Sequence, residues 1–450
     1  MKNFHSCRFH RHNIISSSLI LKLAMACFLP VVCKLAAQPF PETNNSTSFV
    51  AVEKIEVEVT NPGNFRRDDE TVELNLREIA PRLRLNPAVA QLAVVDKTSL
   101  RVLDSQTYAS EVGEVPDKLL FQVSLGPNET RSYYVMSASA LGATPRPIVK
   151  TFARYVPERF DDFAWESDRI AFRMYGQGLI HAQNLSLTSS GVDVWVKATR
   201  QLTINQLYAL RDYHKGNGIA MDDYAVGASR GDGGLGIWDG KRLYVSSNYQ
   251  HFRLITSGPI RSEFELTYDD WLVGPTRKVS EIKRISIDAS SYFSKAQSIF
   301  DSDDSSPLTV GIGLAERPCG TNGSELISQD PDEGWMTYWQ PPDGAKGNIG
   351  VAIILPRDSV REFTNDTPDL SYPKIHAMVS SATIEGAPPI RNLLAVTQAQ
   401  VNKPLTYYFG ACWSRSGDFT NDVQWKDYVR QFAQRRDVPL KVVLQRNEKK

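Results

Sequence analysis

The stretch IRSEFELTYDDW, Ile260 to Trp271, decides the fold class. On an extended chain Phe264, Leu266 and Tyr268 share one face, and Glu263, Glu265 and Thr267 share the other. A period of two marks a strand with one side on a core and one side in water. The same alternation recurs in RIAFRMY, GVDVWVK, KRLYVSSNY and VSEIKRISIDASSYF. Long amphipathic strands joined by turns predict a large sandwich of two antiparallel sheets over residues 150–450. Upstream, KIEVEVT (Lys54 to Thr60), TVELNL and LLFQVSL repeat the pattern, separated by the turn signals NPGN and GPNET. Residues 38–149 are therefore expected to form a small antiparallel β-sandwich, with GATPRPIVK (Gly142 to Lys150) as a linker. One helix closes the chain. Val423, Trp425, Val429, Phe432 and Ala433 fall near a 3.6-residue period, behind Asn421 or Asp422 as a cap.

The 51 basic and 51 acidic side chains of the 450 residues cancel. Nothing supplies the basic surplus that nucleic acid demands, although a neutral protein can still hold a local basic pocket. At the N-terminus Lys2, Arg8 and Arg11 precede a mostly apolar run, Ile14 to Val32, and then CKLAAQPF. Residues 1–37 read as a secretory signal with cleavage near Ala37, which predicts a periplasmic or secreted protein. Ser16 to Ser18 and Lys22 interrupt the run, so no stable membrane span is expected after cleavage. PVVC lacks the small residue that lipidation of Cys33 wants just before it. Cys319 and Cys412 stay in the mature chain; they can pair or be simple buried residues, and the sequence leaves both open. No CxxC spacing supports zinc, and DSDD at Asp301 to Asp304 lacks the Gly and distal Glu of a calcium loop. No residue is assigned as a metal ligand, and the sequence leaves a metal requirement and any cofactor unknown.

Candidate chemistry concentrates in DYHKGNGIAMDDYAVGASRGDGGLGIW, Asp212 to Trp238. It holds too many glycines for a helix and too few apolar residues for a core strand, so it reads as a loop. Long loops without structure are uncommon unless functional. The bland alternative is an irregular connection with solvated charges. Here chain proximity gathers His214, Lys215, Asp222, Asp223, Tyr224 and Arg230. There is no GK[ST] after the glycines and no GxSxG in the chain. Of the histidines beyond the leader, His181, His214, His251 and His376, the best placed for proton transfer is His214, because Tyr213, Lys215 and several aspartates surround it. His181 and His251 lie near strands flanking the loop. Trp238 and Trp335 suit stacking on a sugar ring, against core packing as the alternative; DEGWMTYWQPPDG, Asp332 to Gly344, suggests a loop wall.

NPGNFRRDDETVEL, FAWESDRIAFRMYGQ, DVWVK, the glycine-rich block, GPIRSEFELTYDDW and GACWSRSGDF together resemble the DUF4861 family of exported bacterial proteins over nearly all of the mature chain. The resemblance implies a galactose-mutarotase-like supersandwich that binds carbohydrate in a concave sheet. It also implies oligosaccharide processing beside the degradation of uronic-acid polymers such as pectin and ulvan, with an ulvan-type oligosaccharide dehydratase as the nearest activity. Elimination beside a uronate carboxylate needs a cation to offset charge, a base for the α-proton and an acid for the leaving oxygen. Arg230, Lys215 or Lys197 suit the first role and His214 the second or third. Tyr224, paired with Tyr213, suits either if a neighbouring cation lowers its pKa. Asp222, Asp223, Trp238, His181, His251 and Trp335 are the candidates for holding the oligosaccharide. Two rival readings are a glycoside hydrolase using two of Asp222, Asp223, Glu166, Asp193 and Asp269, and a non-catalytic glycan-binding protein.

Overall fold

Phe264, Leu266 and Tyr268 are buried on the strand Arg261–Val273, as the alternation requires. This strand is second in an eight-stranded antiparallel sheet. The computed structural model describes residues 53–86, 91–142, 146–182, 187–210, 212–317, 326–342, 344–367 and 391–445. The leader with its cleavage site, Cys33, Cys319 and His376 lie outside them. The order across the sheet is His251–Ser257, Arg261–Val273, Arg277–Asp288, Phe293–Ser302, Pro404–Trp413, Ile349–Ile354, Trp335–Trp339 and Leu326–Asp330. Phe264 pairs with Ile285, and Ile285 with Ala296, so apolar side chains meet across the sheet on its inner face.

Two five-stranded sheets form the opposite layer. One runs Ala220–Asp222, Asp193–Lys197, Ala171–Met174, Asp162–Ser167, Thr151–Val156; the other Leu243–Tyr244, Asp232–Trp238, Leu308–Glu316, Arg391–Ala399, Glu362–Asp366. Gly231 is the seam between them. It bridges Val192, Asp232 N–H donates to the Val192 carbonyl at 2.9 Å, and Ala315 N–H donates to the Gly231 carbonyl at 2.7 Å. Its φ is +60°, and a Cβ there would meet the Val192 oxygen at 1.9 Å, so only glycine fits. Trp165, Phe172, Phe264, Ile285, Ile312 and Phe409 belong to one buried cluster drawn from all three sheets. The architecture is the antiparallel supersandwich expected.

The glycine-rich block is not a loop throughout. DGGLGIW, Asp232–Trp238, is a wholly buried strand. Its apolar content is low because the backbone itself is the packing surface: a Cβ on Gly233 would lie 2.4 Å from the Phe409 side chain.

The small sandwich pairs a five-stranded with a three-stranded sheet around Ile55, Val57, Leu74, Phe121 and Val135. Its edge strand comes from the far end of the chain: Lys441–Leu444 lies antiparallel to Lys54–Thr60, Val442 opposite Val59. A boundary drawn at residue 149 therefore leaves one strand of the small sandwich on the wrong side, because local alternation carries no information about a partner so distant in sequence. The closing helix is Asp422–Asp437, capped by Asn421, whose side chain accepts from Gln424 N–H. Trp425, Val429 and Ala433 are buried, whereas Val423 is exposed. Cys412 is a free, buried thiol. Among the described residues no helix is long and apolar enough to cross a membrane.

Candidate functional site

The five-stranded sheet that ends at Asp222 has two unlike faces. Phe163, Trp165, Phe172, Met174, Val194, Val196 and Met221 enter the main core. Their neighbours in sequence must point the other way. These are Asp162, Glu166, Arg173, Asp193, Lys197 and Asp222, all buried although charged. Residues 198–210 and 212–219 cover them, carrying the short helix Ile204–Tyr208 and packing Ile204 and Leu207 on Trp195, Ala164 and Ala220.

Arg173 is the centre. It stands opposite Asp193 on the adjacent strand. Its Nε donates to Asp193 Oδ2 at 2.8 Å, its Nη2 to Asp222 Oδ2 at 2.9 Å, and its Nη1 to Asp162 Oδ2 at 3.5 Å and to the Tyr213 hydroxyl oxygen at 3.2 Å. That phenol oxygen accepts a second guanidinium bond, from Arg159 Nε at 2.8 Å. His214 Nδ1 lies 3.5 Å from Asp222 Oδ2, and its ring centre lies 4.7 Å from that of Tyr213. Trp195 stacks on Tyr213 at 5.2 Å. The Asp162 Oδ1, Arg159 Nη1 and Trp195 Nε1 atoms are buried without a hydrogen-bond partner.

Three buried carboxylates around one guanidinium cannot all be comfortable as anions. Burial pushes Asp162 up to about 6 against the pull of Arg173. Burial, then the Asp222 carboxylate, pushes Asp193 up. Burial opposes the charge of Arg173, but Asp193 and its other neighbours outweigh it and hold the guanidinium well above its ordinary value. Burial thus favours the protonated form of Asp162 and Asp193 more than water does. The network's one imidazole reaches water: the His214 side chain is 35% exposed while Asp222 is 3%. Arg173 occupies the space between the carboxylates, and among the described residues no group of three or more His, Cys, Asp or Glu is placed to hold a metal ion.

The structure brings together His214, Asp222, Asp193 and Tyr213. It does not bring in the others. Asp223, next along the chain, faces away from Asp222 and takes Lys346 Nζ at 3.0 Å. Lys215 is exposed beside Asp212, 3.5 Å from its carboxylate. Arg230 cannot meet a substrate carboxylate: it is fully buried, donates to Ser190 Oγ at 3.0 Å and the Ala228 carbonyl at 3.2 Å, and burial lowers it to about 10. Tyr224 is buried too, and burial, with Asp232 beside it, holds its phenol well above the usual value, opposite to the lowering that its acid–base role requires. Lys197 and Glu166 consume each other at 2.6 Å, and Glu166 also accepts the N–H groups of Thr203 and Ile204, anchoring the covering segment. Trp238 is buried with Leu243, Leu394 and Val396. Trp335 is buried, its indole N–H on Glu333. His181 is exposed at the end of a 3-10 turn, His251 on the edge strand of the eight-stranded sheet, and Asp269 beside the bulge between Tyr268 and Trp271.

Arg159, Arg173 and Asp162 went unread in the sequence. A signal for Arg173 was present: in RIAFRMY, Ile170, Phe172 and Met174 point to the core, which sets Arg173 on the outer face level with Asp193.

These features define a mostly β supersandwich protein with a buried ionisable network that opens to water at one histidine. The chain belongs to the family described as Domain of unknown function (DUF4861), whose profile matches residues 59–442. It is 30% identical over 398 residues to Uncharacterized protein P7 of Formosa agariphila, covering 86% of this chain and 93% of that one. Two Enterococcus faecalis structures are similar at the level of the chain trace. One is a protein in glycosyl hydrolase family 38, at TM-score 0.45 and 10% identity, covering 88% of this chain and 48% of that chain. The other is an alpha-mannosidase, at TM-score 0.43 and 9% identity, covering 88% and 46%. The chain spans about half the length of these two.

Proposed function

We propose that the protein is an exported, periplasmic or secreted, carbohydrate-active enzyme that removes water from uronate-containing oligosaccharides of the ulvan or pectin type, a carbon–oxygen lyase. The observation that carries this reading is the pair at the mouth of the network. His214 rests its Nδ1 on Asp222, and the Tyr213 oxygen next to it accepts from both Arg159 and Arg173.

In such an elimination a base takes the proton α to the uronate carboxylate. The C–H electron pair becomes a carbon–carbon double bond, the bond to the β-oxygen breaks, and the hydroxyl leaves as water with a proton from an acid. The Asp222 backbone carbonyl, 3.4 Å from Nδ1, holds the imidazole, which leaves Nε2 for the substrate. Negative charge developing on the Tyr213 oxygen or on the nearby carboxylate meets two guanidinium groups held in place before the reaction.

The hydrolase alternative is less well supported. It needs two carboxylates separated by roughly 5–9.5 Å with the sugar between them. Asp193 and Asp222 both bond to Arg173 Nη2 and are buried. The test is product mass after incubation with saturated and unsaturated uronate oligosaccharides. The proposal expects a product lighter by one water that absorbs as a conjugated acid. Fragments that together gain a water, or an unchanged substrate, contradict it.

A further inference from the structure

A cleft of about 260 Å³ lies among the small sandwich, the closing helix and the eight-stranded sheet. Its floor includes Lys295, which stands between its cross-strand partners Ser286 and Tyr408. Its helical wall carries Tyr428, Phe432, Arg435 and Arg436. The Tyr213–His214 network belongs to the other layer of the sandwich, so the two are distinct.

Of the four carboxylates lining the cleft, three are already matched. Asp288 is held by Arg261 at 2.6 and 2.9 Å, Glu70 sits 3.4 Å from Arg67 and 3.7 Å from Arg435, and Asp68 pairs with Arg66 at 2.7 Å. Asp69 is exposed. The cations are matched only in part: Arg435 Nη1 reaches Glu70, and Arg436 Nη2 donates to the Leu355 carbonyl at 2.7 Å. Among the described residues the Lys295 ammonium makes no hydrogen bond or ion pair. Arg435 Nε and Arg436 Nη1 are buried without a hydrogen-bond partner. Burial, then Arg261, pulls the Lys295 ammonium below the ordinary lysine value, so a bound anion would relieve it. Beside these donors are aromatic faces, with Arg436 5.2 Å from the Tyr408 ring centre and Arg435 5.4 Å from that of Phe432. Unfilled donors next to apolar rings suit a sugar, whose C–H face is apolar and whose substituents are polar. The volume lies below the roughly 300–1,000 Å³ of pockets for drug-sized ligands, which fits one sugar unit and not a chain.

We propose that this cleft is a second carbohydrate site that takes a single acidic sugar unit, its carboxylate on Lys295 and its ring against Tyr408 and Phe432. The proposal does not rest on the catalytic reading. It is tested by calorimetric titration of the full chain with galacturonate, with glucose and with inorganic sulfate. Galacturonate is expected to bind, glucose not, and sulfate more weakly. Lys295→Gln should weaken galacturonate by about tenfold or more, the loss of one charge-assisted bond. Lys295→Arg should retain most of the binding, and His214→Ala should leave it unchanged. Melting temperatures show whether each variant is folded. The proposal is overturned if galacturonate does not bind, if Lys295→Gln binds like the wild type, if His214→Ala abolishes the heat, or if sulfate binds as tightly as galacturonate.

Discussion

Arg173 holds three carboxylates with one guanidinium, and all four groups are out of water. Removing it strands the anions. Arg173→Met is expected to cost on the order of 3–5 kcal/mol in urea unfolding at neutral pH. The penalty should shrink in acid, where the carboxyls take protons. Asp162 gives this a sign. Folded, it keeps its proton to about 6, against 3.8 for an ordinary carboxyl. Between those values the native state binds more protons than the unfolded chain, so this group's contribution to stability falls as pH rises through the window. Asp162→Asn should flatten that part of the stability profile, gaining relative to wild type between pH 4 and pH 6. A profile of unchanged slope would show that the group titrates normally.

At the scale of elements, the closing helix is tied to the small sandwich by Arg67. Its buried guanidinium donates to the carbonyls of Arg435 and Val438, at the end of that helix, and to Asn61 Oδ1. Arg67→Met leaves helix-end carbonyls unfilled, each worth about 1–3 kcal/mol when buried. Thermal unfolding should therefore show a loss larger than a surface substitution gives, and a change within error would make Arg67 a bystander. The same scale shows what the sequence made legible. Arg261–Val273 was readable because Phe264, Leu266 and Tyr268 keep strict period two. Asp232–Trp238 was not, because glycine backbone packs there without side chains to count. Lys441–Leu444 was not, because its partner lies at the other end of the chain. Tyr213 and His214 could be picked out as neighbours of Asp222. Arg173 and Asp162 look solvent-facing until residues 198–210 and 212–219 close over them, and that closure depends on tertiary contacts such as Glu166 with Thr203.

For the whole molecule, we keep the reading of two sandwiches joined near residues 142–150, and the structure adds why they should not part. Strand Lys441–Leu444 completes the first sheet, Arg261 reaches Glu73 at 2.7 Å, and Tyr108 donates to Glu263 at 2.9 Å. Limited proteolysis near 142–150 should yield two fragments that still elute as one particle under native conditions; fragments that separate would contradict the shared sheet. The central claim, that the Tyr213–His214 pair over Arg173 does chemistry, is tested most directly by turnover. His214→Gln and Tyr213→Phe are compared with wild type on a uronate oligosaccharide, following loss of water by mass, with melting temperature measured on the same samples. The account predicts that each variant loses about 10²–10⁴ in rate while melting within a few degrees of wild type. Near-wild-type turnover in either folded variant, or a loss that only tracks unfolding, would contradict it.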